Sequence, residues 1–276
     1  MRFEFVKMHG LGNDFIVFDA AQPAMLPTPA QLRALADRHT GIGFDQALAL
    51  EPPRHAGTAV YYRIFNADGG EVEQCGNGAR CVAALLAVRN CLGPGVVMLD
   101  SPAGRVEARL LGGGRVSVAM GVPDFRPTAL PFVAAAEAPL YTLEVAGQPL
   151  QIGAVSIGNP HAVLRVASAS GAAVDSVGAA VENHVRFPRR TNVGFMEIVS
   201  RAAVRLRVHE RGVGETRACG TGAAAAVAVG RRNDWLDPAV EVELPGGRLD
   251  VEWRDPAGPI WLTGPTATVY EGHADL

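Results

Sequence analysis

One lysine, Lys7, is all that a chain of 276 residues contains, and it lies near the N-terminus, far from any candidate phosphate loop. Pyridoxal phosphate needs a lysine for its Schiff base, so chemistry resting on that cofactor is not expected. Cysteine is sparse as well. Cys75, Cys81, Cys91 and Cys219 include no Cys-x-x-Cys unit, which argues against a structural zinc site and against a paired-thiol redox centre, so no metal is expected. Basic residues are dispersed, the largest local clusters being pairs such as Arg189-Arg190 and Arg231-Arg232, and the net charge is −3. That leaves no electrostatic footprint for nucleic acid. The longest run of small apolar residues, Gly222 to Gly230, falls far short of the ~20 residues that span a bilayer. Met1 to Lys7 carries charges where a secretory signal has its apolar run, so the expected location is the cytoplasm, with reduced thiols.

What is present is hydrophobic content of 48% and a length sufficient for two cores. One short stretch occurs twice: Cys75-Gly76-Asn77-Gly78-Ala79 and Cys219-Gly220-Thr221-Gly222-Ala223, each opening an apolar helix. Asn66 stands nine residues before Cys75, and Glu210 nine before Cys219; Glu71 and Glu215 each stand four before. Downstream, Pro102-Ala103-Gly104-Arg105-Val106 echoes Pro245-Gly246-Gly247-Arg248-Leu249. Upstream, Gly12-Asn13-Asp14 echoes Gly158-Asn159-Pro160, and Thr40-Gly41-Ile42-Gly43-Phe44 echoes Thr191-Asn192-Val193-Gly194-Phe195. Anchors in one order at drifting offsets indicate a duplicated domain with loop insertions.

Local patterns suggest the elements. Phe3 to Met8 and Phe15 to Phe18 read as strands, with Asn13 and Asp14 on the loop between them. Thr28-Pro29 is a cap and first-turn signal for a helix through Arg38. Tyr61 to Phe65 reads as a strand feeding an Asn66–Gln74 loop. Cys81 to Val88 is apolar on nearly every face, so that helix should be buried. Arg105 to Leu111 and Arg115 to Met120 alternate around Gly112-Gly113-Gly114, a hairpin signal, and alternation recurs at Val204 to Val208, Val240 to Leu244 and Leu249 to Trp253. Residues 121–150 read as the passage between halves, and 167–181 as loop or weak helix. The expected fold is α+β: two pseudo-symmetric domains, each a curved, mainly antiparallel sheet around a central apolar helix, with the site in the cleft between them. Residues 1–119 with 265–276 form the half carrying Cys75, and 120–264 the half carrying Cys219, with the boundary near Met120.

A thiol at a helix N-terminus meets free N–H groups and the positive end of the dipole, so it should ionise more easily than a free one. Two such groups, one on each side of a cleft, suit inversion at a carbon acid: one removes a proton from one face and the other delivers a proton to the opposite face. Without an electron sink, backbone N–H groups after both cysteines would bind the α-carboxylate, where negative charge grows.

Beyond these spacings, the chain resembles the diaminopimelate epimerase family. The resemblance is carried by Met8-His9-Gly10-Leu11-Gly12-Asn13-Asp14-Phe15, Asn66-Ala67-Asp68-Gly69, Cys75-Gly76-Asn77-Gly78-Ala79-Arg80, Gly158-Asn159-Pro160-His161, Glu210-Arg211-Gly212-Val213-Gly214-Glu215-Thr216, Ala218-Cys219-Gly220-Thr221-Gly222 and Leu262-Thr263-Gly264. It implies a cofactor-independent enzyme that interconverts LL- and meso-diaminopimelate for lysine and peptidoglycan synthesis, acting as a homodimer. It implies that Cys75 and Cys219 are the acid/base pair, assisted by His161 and Glu210. Substrate contacts would fall on Asn13, Gln46, Asn66, Asn159, Asn192, Glu210 and Arg211, with helix-end donors from Gly76, Asn77, Gly220 and Thr221. Gly70 departs from the family's usual serine.

Other readings stand beside this one. Cys-Gly-x-Gly alone also fits proline and hydroxyproline racemases, which would not need the distal amides and arginine. A thiol-disulfide protein would use Cys75 and Cys219 as a redox couple, and an amino acid binding module would have no use for two thiols. Cys81 and Cys91 read as buried small hydrophobes. His39, His55, His184 and His273 read as ordinary polar residues, and Glu71 and Glu215 as loop or helix-end supports.

Overall fold

The computed structural model describes residues 2–72 and 75–275. The end of the Asn66–Gln74 loop, Glu73 and Gln74, lies outside the described residues. The first unit comprises Met1–Val118 with Gly264–Leu276, and the second Ala119–Thr263. In chain order the first holds β1 (Arg2–Gly10), β2 (Asn13–Asp19), α1 (Pro29–Ala36), β3 (Gln46–Glu51), β4 (Tyr61–Asn66), β5 (Glu71–Val72), α2 (Gly76–Arg89), β6 (Gly95–Ser101), β7 (Gly104–Gly112) and β8 (Arg115–Ala119). The second holds β9 (Tyr141–Val145), β10 (Gln148–Ser156), β11 (Pro160–Arg165), α3 (Val174–Glu182), β12 (Asn192–Ser200), β13 (Ala203–Glu210), β14 (Gly214–Thr216), α4 (Gly220–Arg232), β15 (Ala239–Leu244), β16 (Gly247–Glu252) and β17 (Trp261–Pro265). The chain then returns to the first unit as β18 (Ala267–Asp275).

Each unit carries the same pattern of strand pairing. In the first, β18–β1–β2 run antiparallel, β2–β3 parallel, β3–β4–β5 antiparallel, β4–β6 parallel and β6–β7–β8 antiparallel. In the second, β9–β10–β11, β11–β12, β12–β13–β14, β13–β15 and β15–β16–β17 repeat those senses in the same order. The register repeats too. Phe15 pairs with Gln46 across β2–β3 as His161 pairs with Asn192 across β11–β12.

Each sheet curves around its apolar helix, α2 against β1, β2, β6 and β7, and α4 against β10 to β13 and β16. Every residue of α4 from Gly220 to Gly230 is buried, and all are Gly, Ala, Val or Thr, which lets strands approach the helix closely. The opposite sheet faces bury Phe3, Phe18 and Phe44 against Leu32 and Leu35 of α1, and Leu143, Ile152 and Phe195 against Val174 and Val181 of α3. Each such fully buried side chain contributes roughly 1.5–3 kcal/mol.

Several local expectations are corrected. Asn13 and Asp14 belong to strand β2, not a loop, because the hairpin turn is confined to Leu11-Gly12. The Thr28-capped helix stops at Ala36, where Asp37 Oδ1 accepts from the His39 and Thr40 amides and draws the chain away. Within 121–150 the chain already forms β9 and enters β10; 167–181, expected as loop or weak helix, does contain most of a helix, α3. Val88, in the last turn of α2, is exposed. Cys91 is exposed, not buried. It takes the left-handed position (φ +51°) just past α2, where its amide donates to the Val88 carbonyl and that of Leu92 to the Ala87 carbonyl. Asp234 (φ +56°) does the same after α4. This double bond pattern closes a helix C-terminus and turns the side chain outward. Cys81 is fully buried in α2, as expected.

Candidate active site

Both repeated cysteines are the N-caps of their helices. Cys75 (φ −146°, ψ 109°) accepts at Sγ from the Gly78 amide at 3.4 Å, and Cys219 (φ −109°, ψ 108°) from the Gly222 amide at 3.4 Å. Sulfur thus takes the place usually filled by a Ser, Thr or Asp oxygen. A Cβ on residue 222 would lie 2.9 Å from Val208 Cγ2 and 3.3 Å from Cys219 Sγ, so glycine permits the close approach of amide to thiol.

In the first unit β2, β3 and β4 bring the polar groups to this helix end. Asn13 Oδ1 accepts from Asn77 Nδ2 at 3.1 Å and from the Cys75 thiol at 3.9 Å. Gln46 Nε2 donates to Asn66 Oδ1 at 2.9 Å, across the β3–β4 pair. Asp45 joins the two groups, accepting from Asn13 Nδ2 at 3.0 Å while its carbonyl accepts from the Ala67 amide at 3.1 Å. Asn77 Oδ1 also accepts from Arg80 Nη2 at 2.7 Å. Arg80 is fully buried, and the sequence reading assigned it no role. Gly70 lies on the neighbouring loop, where its amide donates to Asp68 Oδ1 at 2.8 Å and its carbonyl accepts from the Asn66 amide; a serine Cβ would meet only the Asp68 carboxylate tip.

The second unit assembles the corresponding group with different charge. Cys219 Sγ lies 3.5 Å from Thr221 Oγ1, which accepts from Asn159 Nδ2 at 3.3 Å. Asn159 Oδ1 is 3.0 Å from His161 Nε2. Asn192 Nδ2 donates to the Pro160 carbonyl at 3.1 Å, and Asn192 Oδ1 accepts from the Arg211 amide at 2.9 Å. Glu210, at the repeat position of Asn66, accepts from the Thr216 hydroxyl and lies close enough to Cys219 to act on its thiol.

Cys219 departs from the ease of ionisation expected at a helix end. Its thiol is pushed well above the ordinary value, first by burial and then by the Glu210 carboxylate, and these outweigh the Thr221 and Gly222 donors. Burial, aided by the Arg211 charge, pushes His161 down to about 3, so its imidazole is neutral at physiological pH. Unfolded His161 takes up a proton below about pH 6.5 while the folded form refuses it until about pH 3. His161's contribution to stability is therefore full above about pH 6.5 and is lost as pH falls towards about 3. Urea unfolding over that window should show His161→Gln less acid-sensitive than the parent; equal sensitivity would oppose a buried neutral imidazole.

Glu71 and Glu215 are tied to arginines not singled out in the sequence. Arg63 Nε and Nη2 donate to the two Glu71 oxygens, each at 2.7 Å, and Arg207 Nε and Nη2 to those of Glu215, each at 2.6 Å. These forks brace the β4–β5 and β13–β14 hairpins leading to the two cysteines. Arg63 and Arg207 recur with the same separation as the cysteines, a signal the repeat contained. Glu182 and His209, a buried pair behind Glu210, have no such signal, because their positions in the first unit carry no such pair. Among the described residues no group of three or more His, Cys, Asp or Glu could hold a metal ion, and no helix is long and apolar enough to cross a membrane.

The model of the diaminopimelate epimerase family matches residues 5–126 and 153–269. The chain is 51% identical to the diaminopimelate epimerase of Halorhodospira halophila, over 99% of this chain and 95% of that one. It is 50% identical to that of Chromobacterium violaceum, over 100% of both. Among solved structures, a probable proline racemase from Agrobacterium radiobacter (TM-score 0.74, 16% identity, 99% of this chain and 93% of that one) and a hydroxyproline epimerase from Agrobacterium vitis (TM-score 0.73, 18% identity, 99% and 92%) share the fold. A match over most of the length, at half identity and with both cysteine-capped helices inside it, shows that the chain belongs to the diaminopimelate epimerase family.

Proposed function

We propose that the protein interconverts LL- and meso-diaminopimelate by direct proton transfer between substrate and two thiols, without a cofactor. The observation that carries the reading is the pair of cysteine-capped helix ends in equivalent places of a duplicated fold. Cys75 takes the α-proton from one face of the stereocentre and Cys219 delivers a proton to the other, the roles reversing in the opposite direction. Two-base inversion requires both thiols to reach one carbon, and that meeting is part of the proposal.

Burial and then the Glu210 charge keep Cys219 protonated at rest, which suits it to deliver the first proton. His161, neutral, and Glu210 stand beside the reacting centre. Gly76, Asn77, Gly220 and Thr221 supply helix-end N–H groups to the α-carboxylate, where they favour the charge that develops as the carbanion forms. Asn13, Gln46, Asn66, Asn159, Asn192, Glu210 and Arg211 contact the substrate, whose second amino acid group is a zwitterion that needs neutral amides and an arginine with its partner acid. A cytoplasmic homodimer belongs to the same reading, on family resemblance.

The test is incubation of reduced protein with LL-diaminopimelate in deuterated water, followed by chiral chromatography and mass spectrometry. Meso product with one solvent deuterium is expected. Folded, reduced protein that leaves diaminopimelate unchanged but inverts proline or hydroxyproline would move the assignment to the racemases that share the fold.

A further inference from the structure

His209 and Glu182 form a buried polar pair that the proposed chemistry does not use. His209 precedes Glu210 on β13, so strand alternation turns its side chain to the other sheet face, against α3. There His209 Nε2 lies 2.9 Å from Glu182 Oε2, with the residues 7% and 5% exposed. A Cβ on Gly178 of α3 would stand 2.6 Å from His209 Cβ and Cγ, so helix and imidazole are in close contact. The second Glu182 oxygen accepts from the Gly212 amide at 2.9 Å and has Arg190 Nη1 at 3.6 Å. Since the Arg211 amide donates to Asn192 Oδ1 at 2.9 Å, two successive amides of the turn after β13 are gripped by side chains.

The first unit closes a hairpin of the same length by other contacts: its left-handed residue is Gly69 rather than the counterparts of Gly212 and Gly214, and Arg33 Nη1 of α1 donates to the Asp68 carbonyl at 3.1 Å. Phe65 stands where the second unit has His209, within the apolar cluster that includes Leu32 and Leu35 of α1. A hairpin of this length is therefore held in the first unit without a buried polar pair, and burying polar groups is costly unless they are hydrogen-bonded. The cargo of the turn differs as well: Asn66-Ala67 in the first unit, Glu210-Arg211 in the second.

We propose that Glu182 and His209 are positioning residues that hold the Glu210–Gly214 turn, setting Glu210 beside Cys219 and fixing Arg211 for the substrate. The placement of substrate rests on the function proposed above; the grip on the turn does not. Two variants matched in size separate the acceptor from packing: Glu182→Gln keeps an oxygen for the Gly212 amide, and Glu182→Met does not. Amide hydrogen exchange over residues 209–214, measured without substrate, should be at least about tenfold faster in Glu182→Met than in wild type or Glu182→Gln. Turnover of LL-diaminopimelate should follow, with kcat/KM about 10- to 100-fold lower in Glu182→Met and within about threefold of wild type in Glu182→Gln.

Glu182→Leu/His209→Phe rebuilds the apolar contact of the first unit, and should melt at or above the wild-type temperature yet show the same kinetic loss. A merely structural role would lower the melting temperature and leave the kinetics of folded enzyme intact. Unchanged exchange in Glu182→Met overturns the inference whatever the substrate. Wild-type kcat/KM in the folded double variant overturns it as well. Wild type that is inactive on LL-diaminopimelate but loses turn protection in Glu182→Met upholds the grip and sinks only the functional reading.

Discussion

Cys75→Ala and Cys219→Ala are each expected to lose at least about 10³-fold in turnover of LL-diaminopimelate while remaining folded, since removing a general acid or base typically costs 10²- to 10⁴-fold. Each substitution also removes a helix cap, because Sγ accepts from the Gly78 or the Gly222 amide. That costs about 1 kcal/mol, too little to unfold a domain of this size. Cys81→Ala and Cys91→Ala are the controls. Burial pushes the Cys81 thiol up to about 12, leaving it neutral inside α2, and Cys91 lies exposed beyond the helix end. Both variants should keep turnover near that of the parent. Near-normal turnover in either Cys75→Ala or Cys219→Ala would overturn the two-base scheme.

The second large effect is on stability. Arg80 is fully buried, and no carboxylate lies within ion-pair distance of it among the described residues. Its guanidinium is held by Asn77 Oδ1 at 2.7 Å and more loosely by the Gly76 carbonyl at 3.4 Å. Burial lowers its pKa, a sign that the charge is costly where it sits. Asn77→Ala strips that charge of its main hydrogen bond and should destabilise the protein by about 1.5–3 kcal/mol, read from urea unfolding. Arg80→Met removes the charge and keeps most of the volume, so it should cost less. In the Asn77→Ala background, Arg80→Met should restore part of the loss. Additive losses in the double variant would show that packing, not a stranded charge, is what Asn77 protects against.

The same Asn77 also donates to Asn13 Oδ1, so a residue that supports the buried arginine orients an amide proposed for substrate. The cysteines could be found from sequence because each is announced by its neighbours: glycines, a small apolar helix and a second copy of the same words. The Gly112-Gly113-Gly114 hairpin and the Thr28 cap were legible for the same reason, being properties of a few consecutive residues. Side-chain partners were not. Arg63 with Glu71 and Arg207 with Glu215 are cross-strand neighbours that become pairs only when the hairpins form, and Glu182 reaches His209 from another element altogether.

The sequence alone determined the duplication, the antiparallel sheets around apolar helices and the two cysteine-capped helix ends, because periodicity, caps and repeats are local. Tertiary structure decided that Asn13 sits in a strand, that Cys91 faces outward and that the Cys219 thiol is harder to ionise than a free one. The first two follow from where backbone hydrogen bonds close a hairpin and a helix end, the third from burial and charge. Burial and the charges brought close by folding set the environment of a side chain, and neither can be counted along the chain.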